Sequence, residues 1–328
     1  MKSFICSLML GVVAAAISGM PTRAAAQVPG TYPVKPVRII CVTAPGGGLD
    51  IIGRLVADRL TKTWGQTVIF ENRPGAGGNI ATEYVAKTAA DGYTLLETTN
   101  NHNINTFLFK NPGYDARKDF VPVVQFTEAP SVLITHAQSP FRSLKDVINA
   151  AKSQPGKLSY GHAGSGQGTH IAGEMFKRAA NIDITAIPYK GGGPANIDVM
   201  AGQIPLAMGA SPAVTPLVKA GRVRALAVTS EKRWPTLPDV PSVAELGYDK
   251  FSHYTWIGIL APAGTPPAIV SRLNKEIATL LVAQDVRERI VATGAKPVGG
   301  SSTDFEAMLK TEYETTKKLV VEIGLKAE

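Results

Sequence analysis

The residues best equipped to do chemistry here are glycines and hydroxyls. Thr43-Ala44-Pro45-Gly46-Gly47-Gly48 follows the apolar run 37–42 and precedes a stretch in which Leu49, Ile52, Val56 and Leu60 recur at helical spacing. Strand, glycine loop and helix in that order leave free backbone N–H groups at a helix N-terminus, which is a site for an anion. Asp50 falls in the first turn, where the helix dipole favours a carboxylate. Gly164-Ser165-Gly166-Gln167-Gly168-Thr169 before the helical stretch 170–180 repeats the scheme, as do the loops 71–78 and 188–194. No Lys or Arg lies between Thr43 and Asp50 or between Gly161 and His170, so the binding chemistry on offer is that of amides and hydroxyls. His170, Tyr189 and Gly191 border these loops, and Thr99 closes the polar end of a third strand, so all four join the candidates.

Catalytic readings fit less well. The run 163–167 lacks the flanking glycines of a G-x-S-x-G elbow. Thr169 stands where a dinucleotide fingerprint needs glycine, and no loop ends in G-K-[ST]. Ser165 with His170 is the one pairing that could serve a periplasmic enzyme acting on a small acid. Neither His102, His136, His162 nor His253 has metal-ligand spacing to cysteines or carboxylates, so no metal and no cofactor is expected. Arg73 and Lys190 each read equally as counter-ion for an anion or as a structural brace.

The elements that must position these loops alternate between strand and helix. Strands are expected at 37–42, 67–70 and 93–96, with a helix at 79–87 that turns Ile80 and Val85 inward. Two apolar stretches, 121–126 and 131–135, flank Glu128-Ala129-Pro130 as a broken strand that crosses between lobes. Beyond it come a helix at 144–153, strands at 157–160, 184–187 and 224–228, and a helix at 195–201. A proline-rich surface loop follows at 235–241, then a return crossing at 254–260 and helices at 267–283, 285–293 and 303–323. The fold class is α/β with two lobes, each an open, mostly parallel sheet covered by helices, the glycine loops facing one cleft at the carboxyl ends of the strands.

The chain has 328 residues, 45% hydrophobic and 18% charged, enough for two such lobes. Lys2, the apolar run 4–17 and Ala24-Ala25-Ala26 predict a secretory signal, residues 1–26, cleaved after Ala26. Lobe 1 is then 27–126 with 256–328, and lobe 2 is 127–255. Cleavage would leave a net charge of +6 (+8 less Lys2 and Arg23) and Cys41 as the one cysteine, hence no internal disulfide. The scattered basic residues form no run of five and no stripe with aromatics, so no nucleic-acid partner is expected. A periplasmic monomer is expected.

Several segments together resemble the Bug-type extracytoplasmic solute-binding proteins, receptors of tripartite tricarboxylate transporters. They are Tyr32-Pro33-Val34-Lys35-Pro36-Val37-Arg38, Pro45-Gly46-Gly47-Gly48-Leu49-Asp50 with Arg54, Glu71-Asn72-Arg73-Pro74-Gly75-Ala76-Gly77-Gly78, and the runs 91–96, 188–191, 224–230, 237–241 and 260–266. The resemblance implies a Venus-flytrap fold, no enzyme activity, capture of a small carboxylate, and permease subunits as partners. A sensor role toward a signalling partner is compatible with it. It also implies that Pro45, Gly46, Gly47, Gly48 and Asp50 face Gly164, Ser165, Gly166, Gln167, Gly168, Thr169 and His170 across the ligand, with the Thr43 hydroxyl beside the first loop as a candidate from its residue type. Met208-Gly209-Ala210-Ser211 stands where relatives carry a bulky aromatic followed by Asp or Ala and Asn, so Met208 and Gly209 are expected to line a roomier cleft.

Overall fold

The computed structural model describes residues 32–325. The predicted signal segment and its cleavage site lie outside the described residues. β1 (Val37–Cys41) buries every residue except Arg38, as a central parallel strand must. It is followed by α1 (Gly48–Trp64), whose Leu49, Ile52, Val56 and Leu60 are buried as their spacing dictates. Gly65 ends α1 in the left-handed conformation, φ +63°. β2 (Val68–Asn72), α2 (Asn79–Ala86), β3 (Thr94–Thr98) and α3 (Asn101–Leu108) complete the first unit of alternation. β1 pairs in parallel with β2 on one side and β3 on the other.

β4 (Phe120–His136) is one strand of 17 residues, not two broken ones. The second half of the chain continues with α4 (Leu144–Ser153), β5 (Ser159–His162), α5 (Gly168–Ala180), β6 (Thr185–Pro188), α6 (Gly192–Met200), β7 (Leu206–Ala210), α7 (Ser211–Lys219) and β8 (Val223–Val228). β9 (Tyr254–Pro262), α8 (Pro267–Val282), α9 (Gln284–Thr293), β10 (Lys296–Gly299) and α10 (Ser302–Glu322) return to the first sheet. The first part of β4 runs antiparallel to β9 and β10, and its last part antiparallel to β7 and β8. β5 pairs in parallel with β6 and β7. One long strand therefore belongs to both sheets. Pro130, in the segment read as the break, sits in the ladder across from Tyr254 of β9, and Pro122 sits across from Leu260.

Other expectations give way for local reasons. Val85 is buried, but Ile80 is 54% exposed, because its side chain folds over Gly75 (a Cβ there would meet Ile80 Cδ1 at 2.5 Å) while Ala81 and Thr82 face inward. In the proline-rich loop Leu237 and Val240 are buried in an apolar cluster with Val132, Val214 and Val228, so the loop is a lid over core. Helix α6 starts at Gly192 rather than Ala195, which puts two glycines in its first turn. Cys41 is buried at the end of β1 with its thiol 3.5 Å from Thr43 Oγ1.

Candidate anion-binding site

Four helix N-termini point at one place. A cavity of about 20 Å³, room for one water-sized group, is lined by Thr43, Gly47, Gly48 and Leu49 from α1, by Gln167, Gly168 and Thr169 from α5, by Gly192 from α6 and by Ala210, the N-cap of α7; Ala163 and Thr255 complete it. Helix starts have N–H groups that no preceding turn can satisfy. Here the N–H groups of Gly47, Gly48 and Leu49 have no partner among the described residues; Ile51 N–H is the first to bond back, to the Gly47 carbonyl at 3.1 Å. The same holds for Gly168 and Thr169 before His170 N–H, and for Gly192 and Gly193. None of α1, α5 and α6 has a side-chain cap. Each dipole end favours an anion by roughly 0.3–1 kcal/mol when exposed and up to ~2 kcal/mol when partly buried.

The loops are held rigid from behind. Asp50 Oδ2 accepts from Gly46 N–H at 3.0 Å and Oδ1 from Arg54 Nε at 2.8 Å. Arg54 also donates to Asn72 Oδ1, and Asn72 Nδ2 to the Thr43 carbonyl at 2.9 Å. Asp50 is thus a neutralised brace. Gly46 takes φ +81°, a turn that only glycine makes without strain. In the facing loop Thr169 Oγ1 accepts from Ala163 N–H, and the Nδ1 atoms of His162 and His170 accept from Gly164 and Gly166 N–H at 3.3 Å each. The two imidazoles stack at 4.4 Å. Burial, helped by His170, holds the pKa of His162 down at about 3, so this ring is a neutral acceptor. The Ser165–His170 pairing expected of an enzyme therefore has its Nδ1 engaged by Gly166 and its ring stacked on His162. Beneath α1, burial pushes the Glu97 carboxyl well above the usual carboxylate range, so its charge is suppressed there.

The loops meet backbone to backbone. Ala44 N–H donates to the Lys190 carbonyl at 2.9 Å. A Cβ on Gly191 would stand 2.8 Å from Ala44 N, and one on Gly193 would stand 2.3 Å from the Pro45 carbonyl oxygen. Gly77 lies against Ser165, and its carbonyl accepts from Gln167 Nε2, Asn101 Nδ2 and Asn105 Nδ2. Beside the small cavity, and sharing Ala163 and Gln167 with it, lies a second of about 220 Å³. Its walls include Val42, Phe109, Gly164, Ser165, Tyr189 and Lys190.

Of the expected site residues, Thr43, Gly47, Gly48, Gln167, Gly168 and Thr169 line the small cavity, and Gly164, Ser165 and Tyr189 the larger. Pro45, Gly46 and Gly191 form the backbone contact between loops. Gly166 packs on Asn105. Two expectations are corrected. Thr99 is buried with its hydroxyl on Asn100 Oδ1, since the polar run continues straight into α3. Met208 points into the core with Leu206, Tyr160 and Phe176, and Gly209 packs on Val214; Ala210, at the end of β7 and the N-cap of α7, is the residue of this segment that lines the cavity. The tyrosine hydroxyl of Tyr189 is occupied by Asp198 at 2.6 Å. Arg73 pairs with Glu71 and lies 3.7 Å from the Tyr84 ring, the structural alternative. Lys190 stays exposed at the larger cavity.

Residues 52–325 match the model of the tripartite tricarboxylate transporter family receptor. The chain belongs to this family. It is 36% identical over 298 residues to Protein BugT of Bordetella pertussis, covering 90% of this chain and 91% of that one. Its fold matches periplasmic binding protein BugD with a TM-score of 0.87 and 33% identity, covering 90% of this chain and all of BugD. R. palustris Rpa4515, solved with adipate, matches with the same TM-score and coverage at 36% identity. The receptor is thus a Bug-type solute-binding protein with the two-lobed α/β periplasmic-binding-protein fold. Thr255 is the feature that the residue types alone did not single out: nothing in a lone threonine on a strand distinguishes it from packing.

Proposed function

We propose that this receptor works in the periplasm, captures a small carboxylate between the N-termini of α1, α5 and α6, and delivers it to the permease of a tripartite tricarboxylate-type transporter without chemical change. The observation that carries this reading is the convergence of unpaired amides on one cavity without a cation on its lining. Lobe 1 is taken as 27–126 with 256–328 and lobe 2 as 127–255, β4 and β9 being the crossings. The relative solved with adipate supports a carboxylate as the ligand class. A monomer with no cofactor and no nucleic-acid partner fits the scattered charge.

On this account the affinity comes from dipoles and charge-assisted hydrogen bonds, not from Arg73 or Lys190. Loss of a desolvated, paired charge costs about 2–5 kcal/mol, whereas a rim charge acts mainly on the association rate. Arg73→Gln and Lys190→Gln are each expected to weaken the best-binding acid by less than about tenfold, or ~1.4 kcal/mol. Titration calorimetry on the three proteins checks it. A hundredfold loss in either variant, with the fold intact, would assign the anion to a cation instead.

A further inference from the structure

We propose that Thr255 is a specificity-determining residue, its hydroxyl contacting the bound acid from β9, opposite the point where β4 passes between the two sheets. The inference rests on the carboxylate reading above. The Thr255 side chain is buried, 7% exposed, and its Oγ1 has no hydrogen-bond partner among the described residues. It lines the small cavity with Gly47, Gly48, Gly168 and Thr169. A Cβ on Gly168 would come within 2.2 Å of Oγ1, so the hydroxyl stands directly against the first residue of α5. Buried polar groups are almost always hydrogen-bonded, and one left alone beside a cavity is aimed at what enters it.

Position gives the contact its meaning. Thr255 pairs with Ala129 of β4, and two residues later Ser131 pairs with Ala210 of β7. Thr255 therefore sits where β4 passes from one sheet to the other. Thr127 Oγ1 and Ser131 Oγ, on the same face of β4 either side of Ala129, are also buried and unpartnered. A row of hydroxyls thus runs along the crossing. The backbone amides around the cavity can only donate. A hydroxyl donates to a carboxylate oxygen and keeps lone pairs for an O–H or N–H on the ligand. The contact would link occupancy of the amide site to the crossing strands, and so to the relation of the sheets.

The test uses Thr255→Val, which keeps the shape and removes the hydroxyl, Thr255→Ala as a second hydroxyl-free variant, and Thr255→Ser as the rescue. Acetate, succinate, adipate, malate, citrate, benzoate and glutamate are titrated into wild type by calorimetry, and the tightest is carried into the variants. Thr255→Val is expected to weaken it about tenfold, the equivalent of 1.4 kcal/mol, with Thr255→Ser within about threefold of wild type. The unliganded Thr255→Val protein should melt no lower than wild type, since the lost hydroxyl had no partner. Affinity within about twofold of wild type in the hydroxyl-free variants overturns the inference, as does a Thr255→Ser variant as weak as Thr255→Val. Gly47→Asp, measured on the same acid, separates the two readings. If it abolishes binding while Thr255→Val does not weaken it, the carboxylate site stands and the role of Thr255 falls. If no acid in the panel binds wild type, both fall.

Discussion

Gly47→Asp is expected to abolish carboxylate binding, by more than about a hundredfold or 2.8 kcal/mol, while the unliganded protein keeps or raises its melting temperature. Gly47 is the N-cap of α1 at φ −84°, a conformation open to any residue. A Cβ there would have ordinary contacts: Gly192 N at 3.4 Å, Ala44 O at 3.8 Å and Gly193 N at 3.8 Å. Two of these are unpaired amides of α6. The new carboxylate would begin one bond from that Cβ and reach those N–H groups, taking the place of the ligand's own anion. Aspartate is also among the best N-cap residues, so α1 loses nothing. Calorimetry with the preferred acid and a melting curve check both halves. Undiminished affinity would remove Gly47 from the site, and a large drop in melting temperature would mean that the glycine serves the fold.

Gly193→Ala is expected to hold the loops apart and weaken the acid by about a hundredfold. The added methyl would stand 2.3 Å from the Pro45 carbonyl oxygen and 3.1 Å from the Gly46 backbone. Both are backbone atoms in a loop pinned by Asp50 and Asn72, so neither yields easily. Within α6 itself alanine is the better helix former, and with the loops apart the added methyl would meet neither atom. The variant should therefore fold normally. Small-angle scattering should show the wild type contracting when the acid is added and Gly193→Ala failing to contract. Contraction of the variant at wild-type affinity would show that these loops need not touch for the ligand to be held.

Much of this was legible in the residues. The β-branched run of β1, the Pro-Gly-Gly-Gly turn and the spacing of Leu49, Ile52, Val56 and Leu60 specify strand, loop and helix without help from tertiary contacts. What remained hidden depends on neighbours distant in the chain. Helix α3 has three asparagines in eight residues, a poor local signal, and is paid for by side-chain bonds to Gly77, Leu309 and Glu312. Helix α7 carries Pro212 and Pro216, which read locally as breakers. The resemblance puts Met208 at the cleft, but what a residue of β7 faces is decided by distant neighbours: Met208 pairs with Leu133 of β4 and packs on Tyr160 and Phe176. The hydroxyl of Thr255 became conspicuous only once its surroundings showed that nothing else bonds it.

An anion is expected where the helix N-termini meet. A thermal-shift screen of the unliganded protein against small mono-, di- and tricarboxylates, with neutral sugars of similar size beside them, tests it most directly. An acid present at 100 times its dissociation constant adds about 2.7 kcal/mol to stability. At least one carboxylate is expected to raise the melting temperature by several degrees, and no sugar is expected to do so. Stabilisation by neutral sugars with no response to any acid would contradict it.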